Sequence, residues 1–217
     1  IEARIYAEDP ATFLPSTGRV TLFAAPLGPG IRNDIGLESG DDVSVHYDPM
    51  LAKLIVSAPS RPAAIARLRQ ALDTYTVLGV ITNIPLLQAI AGHPLFADGA
   101  TTTDFLADTG LLVTEEQQAV PAEALIAAAL SDVLDSSPAA QPTGGNPWQV
   151  GPWRALGDAM PLHYEEAGQH YTIILTRLQS GWHAVVGTST YLFELVSARP
   201  DELVLQLAGA RQRFAVA

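Results

Sequence analysis

Side chains able to do chemistry are scattered along this sequence and form no complete catalytic phrase. No GxxxxGK(S/T) loop, GxSxG elbow, HExxH helix or CxxC pair occurs. The five histidines, at positions 46, 93, 163, 170 and 183, do not fall at the spacing of a ligand pair, so no metal site is expected. On strands, the adjacent acids Asp41-Asp42 and Glu165-Glu166 point to opposite faces and cannot share a proton; solvated charge is their expected role. Arg4 is the informative charge. It lies in a run that also presents Ile1, Ala3 and Ile5, where an arginine by itself faces solvent or pairs with Glu2 or Glu8. Trp148 and Trp153, flanked by prolines in NPWQVGPW, suit an anchor where the chain enters a barrel, with a binding surface as the alternative.

The elements that position these residues follow from period and punctuation. Ile1 to Tyr6 alternates as a half-buried strand does, and Asp9-Pro10 turns the chain. Strands are expected at Arg19 to Ala25, Asp42 to His46 and Leu51 to Ser57, the last two joined around Tyr47-Asp48-Pro49. PLGPG, Pro26 to Gly30, is a shaped loop between two extended segments. From Arg61, a proline in the first turn and apolar Ile65, Leu68, Leu72 and Tyr75 predict an amphipathic helix reaching Val77 and ended by Gly79. Asn83 is placed to cap a short helix, IPLLQAIAGH. The pattern fades from Asp98 to Leu106.

A helix opening at Thr114-Glu115-Glu116, with Pro121 as a possible break, continues as the alanine-rich AEALIAAALSDVL to Leu134. Leu125, Ile126, Ala129, Leu130 and Val133 make it apolar nearly all round, so it must be buried. Residues Asp135 to Asn146 combine serine, proline and glycine breakers with almost no hydrophobic surface and are a linker. Six short strands then follow: Leu162 to Glu166, His170 to Leu178, Gly181 to Gly187, Thr190 to Val196, Glu202 to Leu207 and Arg211 to Val216. Their tight turns predict a small antiparallel barrel or sandwich.

Composition narrows the function classes. The 217 residues carry a net charge of -11, the wrong sign for tracking phosphate backbones, so no nucleic-acid partner is expected. No run of roughly 18 uncharged apolar residues appears, so no membrane span is expected and a soluble protein is. The absence of cysteine excludes disulfides, thiolate ligation and a cysteine nucleophile; it is compatible with a reducing compartment, and a cytoplasmic location is the expectation. The chain opens without Met inside a strand-like run, as an excised piece of a longer protein would.

Four stretches carry a family resemblance: IEARIYAEDPATFLPSTGRV, YDPMLAKLIV, AIARLRQAL, and GVITNIPLL with its trailing HPLFADG. In that order they resemble the C-terminal lobe of biotin carboxylase, over residues 1 to about 106. The resemblance implies an ATP-grasp enzyme that activates bicarbonate as carboxyphosphate and transfers CO2 to N1' of biotin, with biotin, ATP and Mg2+ as cofactors. It places Arg4 against the ureido ring, holding the enolate oxygen formed when N1' loses its proton; a planar fork suits a planar ureido group better than an ammonium does. Arg32 and Asp48 match residues at or near the subunit contact of dimeric biotin carboxylases, which implies an oligomer. Thr103 falls where the family places a side chain near adenine. The glycine-rich ATP loop, the magnesium carboxylates, the bicarbonate arginine and the general-base glutamate belong to an upstream part of that family's chain, so this stretch alone is expected to be inactive.

Residues 114 to 217 resemble the domain that follows biotin carboxylase in the biotin-carrying alpha subunits of propionyl-CoA and 3-methylcrotonyl-CoA carboxylases. There an antiparallel barrel wraps a long helix and contacts the carboxyltransferase (beta) subunit. The implied fold is α+β: a lobe of antiparallel sheet with flanking helices over 1–110, helix and linker over 111–146, and a barrel over 147–217. The implied partners are the carboxyltransferase subunit and a biotin carboxyl carrier segment. Lys53, the only lysine, lies in a strand outside any A-M-K-M phrase, so biotin is not expected to be attached here. The alternative function is a non-catalytic assembly or dimerisation module. Acyl-CoA selectivity resides, by the same resemblance, in the other subunit.

Overall fold

The computed structural model describes residues 1–111, 120–135, 159–166 and 168–217. The chain separates into two compact units, Ile1–Glu116 and Gln117–Val216, each with its own core. The class is α+β with antiparallel sheets throughout.

In the first unit the alternation of EARIY forms β1 (Glu2–Tyr6), with Ala3 and Ile5 inward and Glu2 and Arg4 outward. Its partner β6 (Met50–Val56) is the central strand, flanked on the other side by β4 (Ile31–Ile35), which is the extended segment beyond the PLGPG loop. The inner face, with Ala3, Ile5, Ala52, Leu54 and Val56, packs with Leu68, Ala71 and Leu72 of α1 (Arg61–Thr74) in one cluster. Full burial of such leucines contributes about 1.5–3 kcal/mol each. Ser60 caps α1 by accepting from the Ala63 amide.

Several boundaries differ from the sequence reading. The expected strand Arg19 to Ala25 is two short strands. β2 (Gly18–Arg19) pairs with β5 (Asp42–Val43), all that forms of the expected Asp42 to His46 strand, and β3 (Leu22–Ala24) pairs with β7 (Thr76–Leu78). Consequently α1 stops at Thr74, three residues short of Val77: Tyr75 turns extended, and β-branched Thr76 and Val77 enter a ladder with β3 instead of a further helical turn. Helix α2 (Ile84–Gly92) forms as expected, but Asn83 makes no side-chain cap hydrogen bond. Where the pattern faded, two one-turn helices appear, α3 (Pro94–Asp98) and α4 (Phe105–Thr109).

In the second unit α5 (Ala122–Asp135) buries Leu125, Ile126, Ala127, Ala129, Leu130 and Val133. Around it run β8 (Ala159–Glu166), β9 (Gln169–Arg177), β10 (Trp182–Val186), β11 (Ser189–Arg199), β12 (Glu202–Leu207) and β13 (Ala210–Ala215), paired in chain order as an antiparallel meander. Met160, Ile173, Leu175, Trp182, Ala184, Phe193, Leu205 and Leu207 join the helix in the core. Among the described residues no ladder joins β8 to β13, so β8 is an edge strand and tolerates Pro161. A bulge between Leu195 and Ser197 bends the long β11. Tyr164 ties the helix to the sheet by donating to Asp132 at 2.6 Å, and its cross-strand neighbour Tyr171 holds the residues leading into the helix by accepting from the Val120 amide at 3.4 Å. The helix start at Thr114 to Glu116, linker residues 136–146, Trp148 and Trp153 lie outside the described residues. Among the described residues no helix is long and apolar enough to cross a membrane.

Candidate functional site: the open face of the three-stranded sheet

Arg4 reaches the open face of the β1-β6-β4 sheet because its neighbours Ala3 and Ile5 are claimed by the core. Its Nε lies 3.3 Å from Glu2 Oε1, and its side chain stays 61% exposed. The hydrogen bond to Glu2, followed by one to Tyr6, raises its pKa above the ordinary arginine value, so it is a permanent cation. An exposed pair of this kind contributes little to stability.

The register sets what surrounds it. Arg4 is the direct partner of Lys53 on β6, and Lys53 is in turn the partner of Asp34 on β4. One step along, Glu2 stands opposite Ile55, and Ile55 opposite Arg32. Arg32 holds Asp34 in a two-point contact, 3.2 Å from Nε to Oδ1 and 3.2 Å from Nη2 to Oδ2. This face therefore has three cations against two carboxylates, in a chain of net charge -11.

What fastens Arg4 is Asn83, a polar residue only 8% exposed. Its Oδ1 accepts from the Tyr6 amide at 2.9 Å, and its Nδ2 donates to the Arg4 carbonyl at 3.1 Å. The Asn83 amide in turn donates to the Tyr6 carbonyl. An edge strand with unpaired backbone groups is thereby closed by one side chain at the start of α2. The sequence reading gave Asn83 a helix cap; its partners lie 77 and 79 residues away, and no local signal carries that.

The structure brings Arg4 and Arg32 onto one face but keeps the other expected residues off it. Asp48 accepts from the Met50 amide at 2.8 Å and shapes the turn entering β6, next to exposed Tyr47. The turn meets the end of β1, where the Ala7 amide donates to the Pro49 carbonyl. Thr103 is exposed in the turn before α4 and makes no side-chain hydrogen bond to a described residue.

Comparison with known proteins places both units. Residues 2–108 match the biotin carboxylase C-terminal domain. Biotin carboxylase of Halalkalibacterium halodurans is 51% identical over 106 residues, covering 49% of this chain and 24% of the relative. The biotin carboxylase domain dimer of 2-oxoglutarate carboxylase from Hydrogenobacter thermophilus, solved with MgADP, ADP and bicarbonate, is 41% identical, with a TM-score of 0.51 over 53% of this chain and 26% of that one. The first unit is thus a biotin carboxylase C-terminal domain. Residues 121–217 match the BT domain of the methylcrotonyl-CoA carboxylase alpha-subunit. Methylcrotonoyl-CoA carboxylase subunit alpha of Mus musculus is 38% identical over 135 residues, 61% of this chain and 19% of the relative. The chain spans 24% and 19% of the length of the two curated relatives.

Proposed function

We propose that the first unit forms one wall of the active site of an acyl-CoA carboxylase alpha subunit that carboxylates biotin with ATP and bicarbonate, and that the second unit docks the carboxyltransferase subunit. Biotin is the substrate of this half-reaction. The observation that carries the reading is the exposed guanidinium of Arg4, held on a strand locked by Asn83 within the segment matched to the biotin carboxylase C-terminal domain. As N1' loses its proton, charge develops on the ureido oxygen, and a fixed cation with an anchored backbone lowers the cost of that charge. Arg32 and Asp48 serve a contact with a second subunit, and Thr103 stands near the adenine of ATP. ATP, Mg2+ and bicarbonate are held by other parts of the enzyme, so these 217 residues alone do not carboxylate biotin.

The test is Arg4→Ala in the full-length carboxylase. Carboxylation of free biotin falls about 100- to 1,000-fold with KM for ATP unchanged; unchanged carboxylation removes the role. Deleting Glu115 to Ala217 releases the carboxyltransferase subunit and spares carboxylation of free biotin. Continued co-purification of the two subunits sinks the docking role.

A further inference from the structure

Lys53 has no evident part in folding. It is the only lysine of the chain, half-buried on the central strand, and directly opposite another cation, Arg4. Like charges facing each other across an antiparallel pair destabilise a sheet. Both carboxylates of the face are already engaged, Glu2 by Arg4 and Asp34 by Arg32. Among the described residues no carboxylate lies within ion-pairing distance of Lys53. A cation placed at a cost beside a second cation, with the nearby acids occupied, is the arrangement of a site for an anion.

We infer that Lys53 is the second cation of the biotin site, holding the carboxylate of carboxylated biotin beside Arg4. The inference rests on the proposed role of Arg4 and extends it by following the charge. Removal of the N1' proton by a base elsewhere in the enzyme leaves one negative charge on the ureido oxygen. Joining CO2 to N1' forms one N–C bond, and the same negative charge then resides on the new carboxylate. Charge is conserved but changes place by a few bonds, so a single fixed cation serves one end of the step only. Arg4 matches the planar ureido; the compact ammonium of Lys53, on the neighbouring strand, matches the carboxylate.

The face has the groups to keep the two roles apart. Glu2 holds the Arg4 guanidinium along β1, and Asp34 is drawn toward Arg32 on β4. Lys53 stands between these two tethered pairs.

The experiment uses the full-length carboxylase with Lys53→Met, Lys53→Arg and Arg4→Met. Carboxylation of free biotin and ATP kinetics are measured together with calorimetric binding of two stable probes. One is neutral 2-imidazolidone; the other is the same ring bearing an N1-acetate. Lys53→Met lowers kcat/KM for biotin roughly 10- to 100-fold, leaves KM for ATP unchanged and abolishes the preference for the charged probe; Lys53→Arg restores most of both. Wild-type kcat/KM and an intact preference in Lys53→Met overturn the inference. So does equal loss of both probes, which is the signature of a purely structural lysine. Should Arg4→Met carboxylate normally, the reading of the site itself fails, whereas a defective Arg4→Met beside a normal Lys53→Met refutes Lys53 alone.

Discussion

Replacing Asn83 by alanine removes both side-chain bonds that close the edge of β1. The Tyr6 amide and the Arg4 carbonyl lose their partners in a part-buried setting, and a methyl group cannot replace either. Each unmade bond costs about 1–3 kcal/mol, with the lower half of that range apt because water can reach a partly buried edge. Together they weaken the local closure by about 2–4 kcal/mol. Since about 1.4 kcal/mol is a factor of ten, the Tyr6 amide should exchange about 30- to 700-fold faster in Asn83→Ala. Native-state hydrogen exchange by NMR reads this directly, with amides of β12 in the other unit as the internal control. Asn83→Asp keeps the acceptor for Tyr6 but sets a carboxylate against the Arg4 carbonyl, so it should protect Tyr6 partly while still loosening Arg4. Tyr6 protection within about threefold of wild type in Asn83→Ala would refute the staple, because a partnerless amide at a sheet edge cannot keep its closed population.

Gly79 has φ +99°, and an added Cβ would lie 2.0 Å from the Arg19 carbonyl oxygen. Gly79→Ala therefore costs at least about 3 kcal/mol and lowers the melting temperature of the first unit in circular dichroism; an unchanged melt contradicts the close approach. The buried Tyr75 hydroxyl has no hydrogen-bond partner among the described residues, and burial pushes its pKa up to about 12 from an ordinary value near 10. The folded state thus keeps the proton that the unfolded chain releases, so this contribution is complete below pH 10 and is lost between pH 10 and about 12. Tyr75→Phe should flatten that alkaline loss in urea titrations and raise stability by about 1 kcal/mol at neutral pH; a fall at neutral pH would show a partner for the hydroxyl. Tyr164→Phe cuts the bond to Asp132 and should cost the second unit about 1 kcal/mol in urea melts, while an unshifted midpoint assigns no weight to that tie.

Much of the fold was legible because its signals are local. The period of two in EARIY placed Ala3 and Ile5 inward and Arg4 outward before any partner strand was known. The continuous apolar coat of α5 demanded burial, and the breaker-separated runs after it announced an antiparallel barrel or sandwich, whose strands the structure pairs in chain order. The four phrases of the first half carried the family, which the match over residues 2–108 bears out. Helix α1 was overextended at its end for the opposite reason. Tyr75 keeps the helical spacing, but a strand formed some fifty residues earlier competes for Thr76 to Leu78 and wins.

The sequence alone determined which residues alternate, which helix is buried, where the breakers lie, and that a lone arginine projects from the first strand. Only the tertiary structure decided what that arginine faces. The opposition of Arg4 to Lys53, the capture of Asp34 by Arg32, and the two bonds from Asn83 into β1 exist once distant segments are in register. The physical reason is range. Side-chain alternation and helical period are properties of a few consecutive residues, whereas register depends on the packing of whole faces, and a slip of one residue would turn Lys53 from the open face to the core.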